Sequence, residues 1–180
     1  MDAFVARHLH GVSRTYAILV PMLPGTLADA VGVAYLLMRV IDTFEDDPHL
    51  GMDERLAGLT QLEAALNGDD AAAAALACPR GENEDERALM RAVPEVLRRV
   101  QALEPVYRVE VVRCANVMSD GIRTLTARSA TRGLPYPAVR DAAELREYCY
   151  YVAGVVGEML CAMMAHYLNL PGLTRLRELA

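Results

Sequence analysis

Asp42-Thr43-Phe44-Glu45-Asp46-Asp47 is the densest group of chemically capable side chains in this 180-residue sequence. Asp42, Glu45 and Asp46 stand at i, i+3 and i+4, so on a helix their carboxylates share one face. Asp47 lies roughly a further 100° round. Like charges at this spacing destabilise a helix by a few tenths of a kcal/mol per pair. Pro48 and Gly51 stop the helix just beyond, where its terminal carbonyls already carry partial negative charge. A divalent cation with oxygen ligands would offset that repulsion. Mg2+ takes one or two carboxylates, several waters and substrate phosphate oxygens. A metal site of Asp42, Glu45 and Asp46 therefore suits a diphosphate ester, whose leaving group the ion neutralises. A solvated acidic helix end accounts for the same residues without metal. Against that, the apolar lead-in Ala34-Tyr35-Leu36-Leu37-Met38 puts the charge at the rim of a greasy helix. Arg39, three residues before Asp42, either pairs with a carboxylate or reaches a phosphate oxygen.

A second constellation is Tyr148-Cys149-Tyr150-Tyr151-Val152-Ala153-Gly154-Val155-Val156-Gly157. Tyr148 and Tyr151 share a helix face by i, i+3 spacing. Gly154 and Gly157, each costing roughly 1 kcal/mol against Ala inside a helix, imply a close approach by another backbone or by a ligand chain. Tight helix packing satisfies the first reading. The second is a narrow apolar channel with phenols at one end, which steadies a carbocation without exposing it to water. Ser13-Arg14-Thr15-Tyr16 places a cation and a hydroxyl at a helix start, where backbone N–H groups favour anions. Met118-Ser119-Asp120-Gly121-Ile122 puts a glycine inside another apolar helix. The acidic run at residues 82–86 follows Pro79 and Gly81 and opens a helix, where negative charge is favourable; its role reads as structural.

These groups need helices to position them, and the punctuation supplies helices with short loops. Ser13 caps a short helix to about residue 20. A long helix covers residues 26–46, and Asp53 caps another that ends at Asn67-Gly68. Residues 69–83 read as a loop with one helical turn. Helical pattern resumes over 85–100 with a break at Pro94, then over 105–128. A loop follows over 129–137, and an unbroken helix over 141–168. Thr174 opens a stub too short to be stable alone, which leads us to expect that the natural chain continues past Ala180.

Composition narrows the function classes. Hydrophobic residues make up 53% and the net charge is −6, so a single helical domain with a sizeable core is expected over residues 1–180 and nucleic acid is disfavoured. All 18 basic residues are Arg. Three of the four cysteines (Cys114, Cys149 and Cys161) lie in apolar helical stretches, and all four lack metal spacing, as reduced core thiols of a cytoplasmic protein would. The apolar stretches at 16–41 and 148–170 are interrupted by Pro21, Pro24, Asp29, Glu158 and His166, and read as buried bundle helices rather than membrane spans. Loose peripheral membrane association stays open for an enzyme with a lipid product. The sequence calls for no obligate protein partner.

Taken in order, Ser13-Arg14-Thr15-Tyr16, the run from Tyr35 to the acids at 42–47, Met118 to Ile122, and the tyrosine–glycine block at 148–157 resemble the squalene/phytoene synthase family. The resemblance extends from about residue 4 to the C-terminus. Its acidic and tyrosine–glycine blocks are specific; between residues 49 and 105 it is helical character alone. It implies an all-α isoprenoid-synthase bundle around a central cavity. It also implies head-to-head condensation of two prenyl diphosphates, farnesyl or geranylgeranyl, to squalene, dehydrosqualene or phytoene, with NADPH where the product is squalene. By motif, Asp42 and Asp46 would bind Mg2+ with Glu45 beside them, and Ser13, Arg14 and Arg39 would contact diphosphate. Tyr148 would act near the reacting carbons in proton transfer to the leaving diphosphate. Tyr151, with Tyr16, Gly154 and Gly157, would line the substrate pocket.

The family also carries a second acidic motif on a later helix. After Asp141 the acids here are Glu144, Glu147, Glu158 and Glu178, none of them clustered. The 180 residues are therefore expected to stop before that motif and to be weakly active at best alone. Glu158 reads either as a buried hydrogen-bonded acid or as a pocket group. Two competing readings are a chain-elongating or cyclising terpene synthase, which gives no reason for the Tyr148 block, and a non-catalytic relative acting as an assembly module, which would be expected to lose the acidic run.

Overall fold

The computed structural model describes residues 1–134 and 136–170, and every regular element among them is helical. The expected all-α architecture is therefore the observed one. The N-terminal helix α1 (Ala3–Val12) was not foreseen. Asp2 caps it by accepting from the backbone N–H of Phe4 and Val5, and Val5 and Leu9, one turn apart, are fully buried. A short helix α2 (Tyr16–Leu19) follows and runs into a 3-10 turn (Val20–Met22). Ser13 Oγ accepts from the Tyr16 N–H at 3.0 Å, so the hydroxyl serves the helix start it was expected to serve.

The central element is α3 (Gly25–Asp46). At 1.5 Å per residue it is roughly 33 Å long, and it packs against α1 and the later helices α4, α6, α7, α8 and α10. Apolar side chains surround it on nearly every side, which is why it needs neighbours on nearly every side. Helix α4 (Met52–Leu66) starts two residues earlier than expected. Its cap is Gly51, whose N–H donates to Glu54 Oε2 at 2.9 Å, while Asp53 lies in the first turn. The Ala run forms a six-residue helix α5 (Asp70–Ala75) capped by Asp69. Helices α6 (Glu84–Arg91) and α7 (Val93–Gln101) meet at Ala92 beside Pro94. Asn83 caps α6, so the acids at 84–86 occupy its first turn as expected.

The longest element is α8 (Pro105–Thr131). The last segment departs from the expected unbroken helix. It comprises α9 (Ala142–Cys149), a π-helical turn (Tyr150–Gly154) and α10 (Val155–Tyr167). Arg128 of α8 and Arg132, its C-cap residue, pin α9 in place. Arg128 grips Glu147 with both terminal nitrogens, at 2.6 and 2.9 Å, and the Arg132 guanidinium grips Glu144 at 2.8 Å. Among the described residues the run Ala142–Tyr167 is the one stretch long and apolar enough by composition to cross a bilayer. The Thr174 stub lies outside the described residues. All four cysteines are free: Cys114 is buried and Cys78 and Cys161 half-buried, but Cys149 is exposed and is no core thiol.

Glycine marks close contacts in this bundle, though not where the sequence pointed. A Cβ on Gly121 would lie 2.1 Å from Cγ of Tyr151, and one on Gly58 would lie 2.3 Å from the Phe44 ring; at Gly157 nothing lies within 4 Å. The tight approach expected at Gly154 and Gly157 is instead at Gly121, where Tyr151 presses its ring against α8. Gly121→Ala should therefore overpack that contact and cost about 1–3 kcal/mol. Gly157→Ala should stabilise by up to about 1 kcal/mol through helix propensity. Denaturant unfolding of the two variants checks the pair, and equal effects would contradict the placement of Tyr151.

Candidate active site

The C-terminal end of α3 carries its carboxylates into the protein, and each meets a different environment. Asp47 is buried and accepts from the backbone N–H of His49 at 2.8 Å and of Arg80 at 3.1 Å. It ties down the turn after α3 and is structural. Glu45 is 5% exposed, and its Oε1 accepts from the Tyr136 hydroxyl at 2.6 Å. Asp46 is exposed and Asp42 half-buried. Among the described residues neither makes a hydrogen bond or ion pair within the protein.

Burial sets the electrostatics. It pushes the Asp42 carboxyl up to about 7; Glu45 and then Asp46 add repulsion, while Arg39 pulls the other way. Burial likewise raises Glu45, and the Tyr136 hydrogen bond opposes it. The Tyr148 phenol, on α9, lies beside Glu45. Burial, then the charges of Glu45 and Asp46, push it up to about 12. Tyr136 is raised for the same reasons. Both phenols therefore keep their protons at neutral pH, and Tyr148 stands ready as an O–H donor.

No three His, Cys, Asp or Glu side chains among the described residues converge into a ready-made metal cage. The donor set nonetheless fits magnesium in its substrate-sharing form, which uses one or two carboxylates and completes its shell with water and phosphate. Asp42 and Asp46, unpartnered and one helical turn apart, are the carboxylates available for it. Glu45, expected as a third ligand, has its Oε1 engaged by the Tyr136 hydroxyl.

Beside Asp42 lies an apolar cavity of about 300 Å³, lined by Tyr16, Tyr35, Met118, Val156 and Leu160 among others. The Tyr16 and Tyr35 rings meet at 4.8 Å, and the Tyr35 hydroxyl donates to the Val12 carbonyl. Val152, Val156 and Leu160, at i, i+4 and i+8, face this cavity from the π turn and α10. The wider π winding splays Tyr148 from Tyr151: the first faces the carboxylates, the second sits on Gly121. Tyr151 does not line the cavity. Gly154 lies in the π turn against the Tyr150 ring, and Gly157 is open.

The remaining expected contacts fall elsewhere. Arg39 forms an ion pair with Glu86 of α6 and faces a polar pocket shared with Thr43, Asp46 and Asp47. Of its two readings, the salt bridge is the observed one. Arg14 is exposed and has no ion pair among the described residues. Glu158 pairs with Arg113 at 3.2 Å and accepts from the Tyr150 hydroxyl at 3.2 Å, which makes it a hydrogen-bonded acid away from the cavity.

Two site residues escaped the sequence, Tyr136 and Arg55. Arg55 sits in the first turn of α4, where the helix dipole disfavours a cation, and that misplacement was the available signal. Its Nε donates to the Phe44 carbonyl at 3.1 Å, satisfying an end group of α3, and its guanidinium lies 5.4 Å from the Tyr136 ring centre. Tyr136, in a Pro-Tyr-Pro loop, carries no signal that distinguishes it from an ordinary turn residue.

The family description Squalene/phytoene synthase matches residues 9–178. The chain is 28% identical to squalene synthase of Schizosaccharomyces pombe over 154 residues, covering 85% of this chain and 32% of that protein. It is 29% identical to squalene synthase BSS of Botryococcus braunii over 173 residues, covering 96% of this chain and 35% of that protein. The solved complex of TcSQS with the ligand BPH1237 superposes with a TM-score of 0.77 at 27% identity, over 97% of this chain and 47% of that one. The chain thus spans about a third of the length of these curated relatives.

The raised Asp42 carboxyl has a consequence for stability. Its ordinary value is 3.8 and its folded value about 7. Between these the folded protein holds a proton that the unfolded chain has released, so stability falls as pH rises from 4 towards 7. Asp42→Asn removes that loss. Its melting temperature should match the wild type near pH 4 and exceed it at pH 8; thermal melts across this range in metal-free buffer check the sign.

Proposed function

Because the chain belongs to the squalene/phytoene synthase family, we propose that the protein containing it condenses two prenyl diphosphates head to head and releases diphosphate. The observation that carries this reading is an unpartnered carboxylate, Asp42, in the wall of an apolar cavity, with the unpartnered Asp46 one helical turn on and a protonated phenol at Tyr148 nearby. The cavity takes the hydrocarbon chain, and the carboxylate rim faces the diphosphate.

Asp42 and Asp46 would hold Mg2+, which when bound neutralises charge on the departing diphosphate. The other steps fall to the protein. The cavity walls exclude water from the allylic cation. Aromatic faces of Tyr16 and Tyr35 at the cavity wall steady positive charge. Tyr148 keeps its proton and donates it towards diphosphate oxygen. Glu45 fixes the phenol rather than binding the ion. Arg14, exposed and free of ion pairs, is the available cation for diphosphate contact near α2. Squalene with NADPH, dehydrosqualene or phytoene are the products proposed. Cytoplasmic placement with peripheral membrane contact suits a lipid product.

Incubating the full-length protein with farnesyl or geranylgeranyl diphosphate and Mg2+, with and without NADPH, should release diphosphate and yield a C30 or C40 hydrocarbon. Asp42→Asn and Asp46→Asn should each lower turnover at least a hundredfold with helicity intact. No diphosphate release from either substrate would reject the reading, and retained activity in the variants would reject the assignment of the two carboxylates.

A further inference from the structure

We propose that Tyr136 is a positioning residue of this site: its hydroxyl holds Glu45 against Tyr148 and keeps that carboxylate off the Asp42 and Asp46 pair. The proposal rests on the prenyl diphosphate reading above. Nothing in the motifs foretold it, because Tyr136 lies in the loop between α8 and α9, far from the acidic run in sequence.

The geometry makes the case in three steps. Glu45 is 5% exposed, and a buried carboxylate is costly without donors. Tyr136 supplies a hydrogen bond of 2.6 Å to Glu45 Oε1. The same carboxylate accepts from the Tyr148 phenol, so the two hydroxyls hold Glu45 between them.

Tyr136 is itself held firmly. Arg55 covers its ring at 5.4 Å and is anchored by a 3.1 Å hydrogen bond to the Phe44 carbonyl. Two residues on, the Ala138 N–H donates to Ser129 Oγ at 2.9 Å, and the Ala138 carbonyl accepts from Arg132 at 2.9 Å. The loop is thus fastened to the end of α8 on one side and to the end of α3 on the other. A side chain so anchored fixes the rotamer of the group it binds.

The consequence is a division of labour within one acidic motif. Asp42 and Asp46 face the diphosphate, while Glu45 serves Tyr148. Removing the Tyr136 hydroxyl frees Glu45 to turn towards Asp42 and Asp46, which adds a third carboxylate to the cation-binding pair and leaves the Tyr148 phenol without its acceptor.

The test uses the full-length protein and three variants: Tyr136→Phe, Glu45→Gln and the double variant. Tyr136→Phe keeps the ring under Arg55, and Glu45→Gln keeps an acceptor for Tyr136, so circular dichroism should show both folded. Free Mn2+ is read by electron paramagnetic resonance without substrate. Glu45→Gln should bind within twofold of wild type, and Tyr136→Phe at least threefold more tightly. With prenyl diphosphate, Tyr136→Phe should lower kcat at least tenfold with KM within threefold. The double variant should be no slower than Glu45→Gln alone, because the two residues act through one hydrogen bond. A tenfold loss of Mn2+ binding in Glu45→Gln, a Tyr136→Phe variant within twofold of wild type in both assays, or additive losses in the double variant would overturn the proposal. Should wild-type protein itself turn over no prenyl diphosphate, the functional reading fails, and the Mn2+ measurements still decide the placement of Glu45.

Discussion

Helix α3 drives a charged C-terminal end into an apolar bundle, and most of the polar chemistry in the structure answers that one constraint. Repulsion among its acids on an exposed helix would cost only tenths of a kcal/mol. Buried without partners, the same charges cost several kcal/mol each, so burial is the dominant effect. Asp47 is answered by two backbone N–H groups, Glu45 by Tyr136, and Arg39 by Glu86. Arg55 serves the helix-terminal carbonyl of Phe44. Asp42 and Asp46 are left unanswered; Asp42 lines the apolar cavity, and Asp46, one turn on, faces the polar pocket beside Arg39.

The second half of the site depends on how α9 and α10 are held. Arg128 and Arg132 fasten α9 to the end of α8 through Glu147 and Glu144. Tyr151 then locks into the notch at Gly121, and the π turn lets the residues beyond it face the cavity while Tyr148 faces the acids. Ion pairs near the surface, as these half-buried ones are, contribute about 1 kcal/mol or less each. Their value here is in aiming one phenol. The acids Glu144, Glu147 and Glu158 are all committed to arginines of α8 and its C-cap, which explains why none of them forms a second metal-binding bank in this part of the molecule.

Much of this was legible in the sequence, and the failures have physical causes. Residues 26–46 announced a buried helix because apolar side chains cover its circumference and Pro48 ends it. The Asp42 and Asp46 pair followed from helical spacing alone. The π turn was not legible, since its residues satisfy α-helical spacing equally well and only packing against α8 selects the wider winding. The tightest helix contact was not legible from Gly154 and Gly157, because a glycine in sequence does not say which neighbour approaches it; that contact is Tyr151 against Gly121. Arg39 pairs with Glu86, 47 residues away in sequence and brought close by tertiary folding. Tyr136 and Arg55 reach the site across 91 and 11 residues of sequence from their partners Glu45 and Phe44. Helical periodicity carries no information over such separations.

The central claim is that Asp42 and Asp46 take up a prenyl diphosphate together with a divalent cation at the mouth of the apolar cavity. Calorimetric titration of an unreactive farnesyl thiodiphosphate into the full-length protein, with Mg2+ and with a chelator, tests it directly. The account predicts binding that requires Mg2+ and that disappears in chelator. Binding of equal affinity without the cation would contradict it.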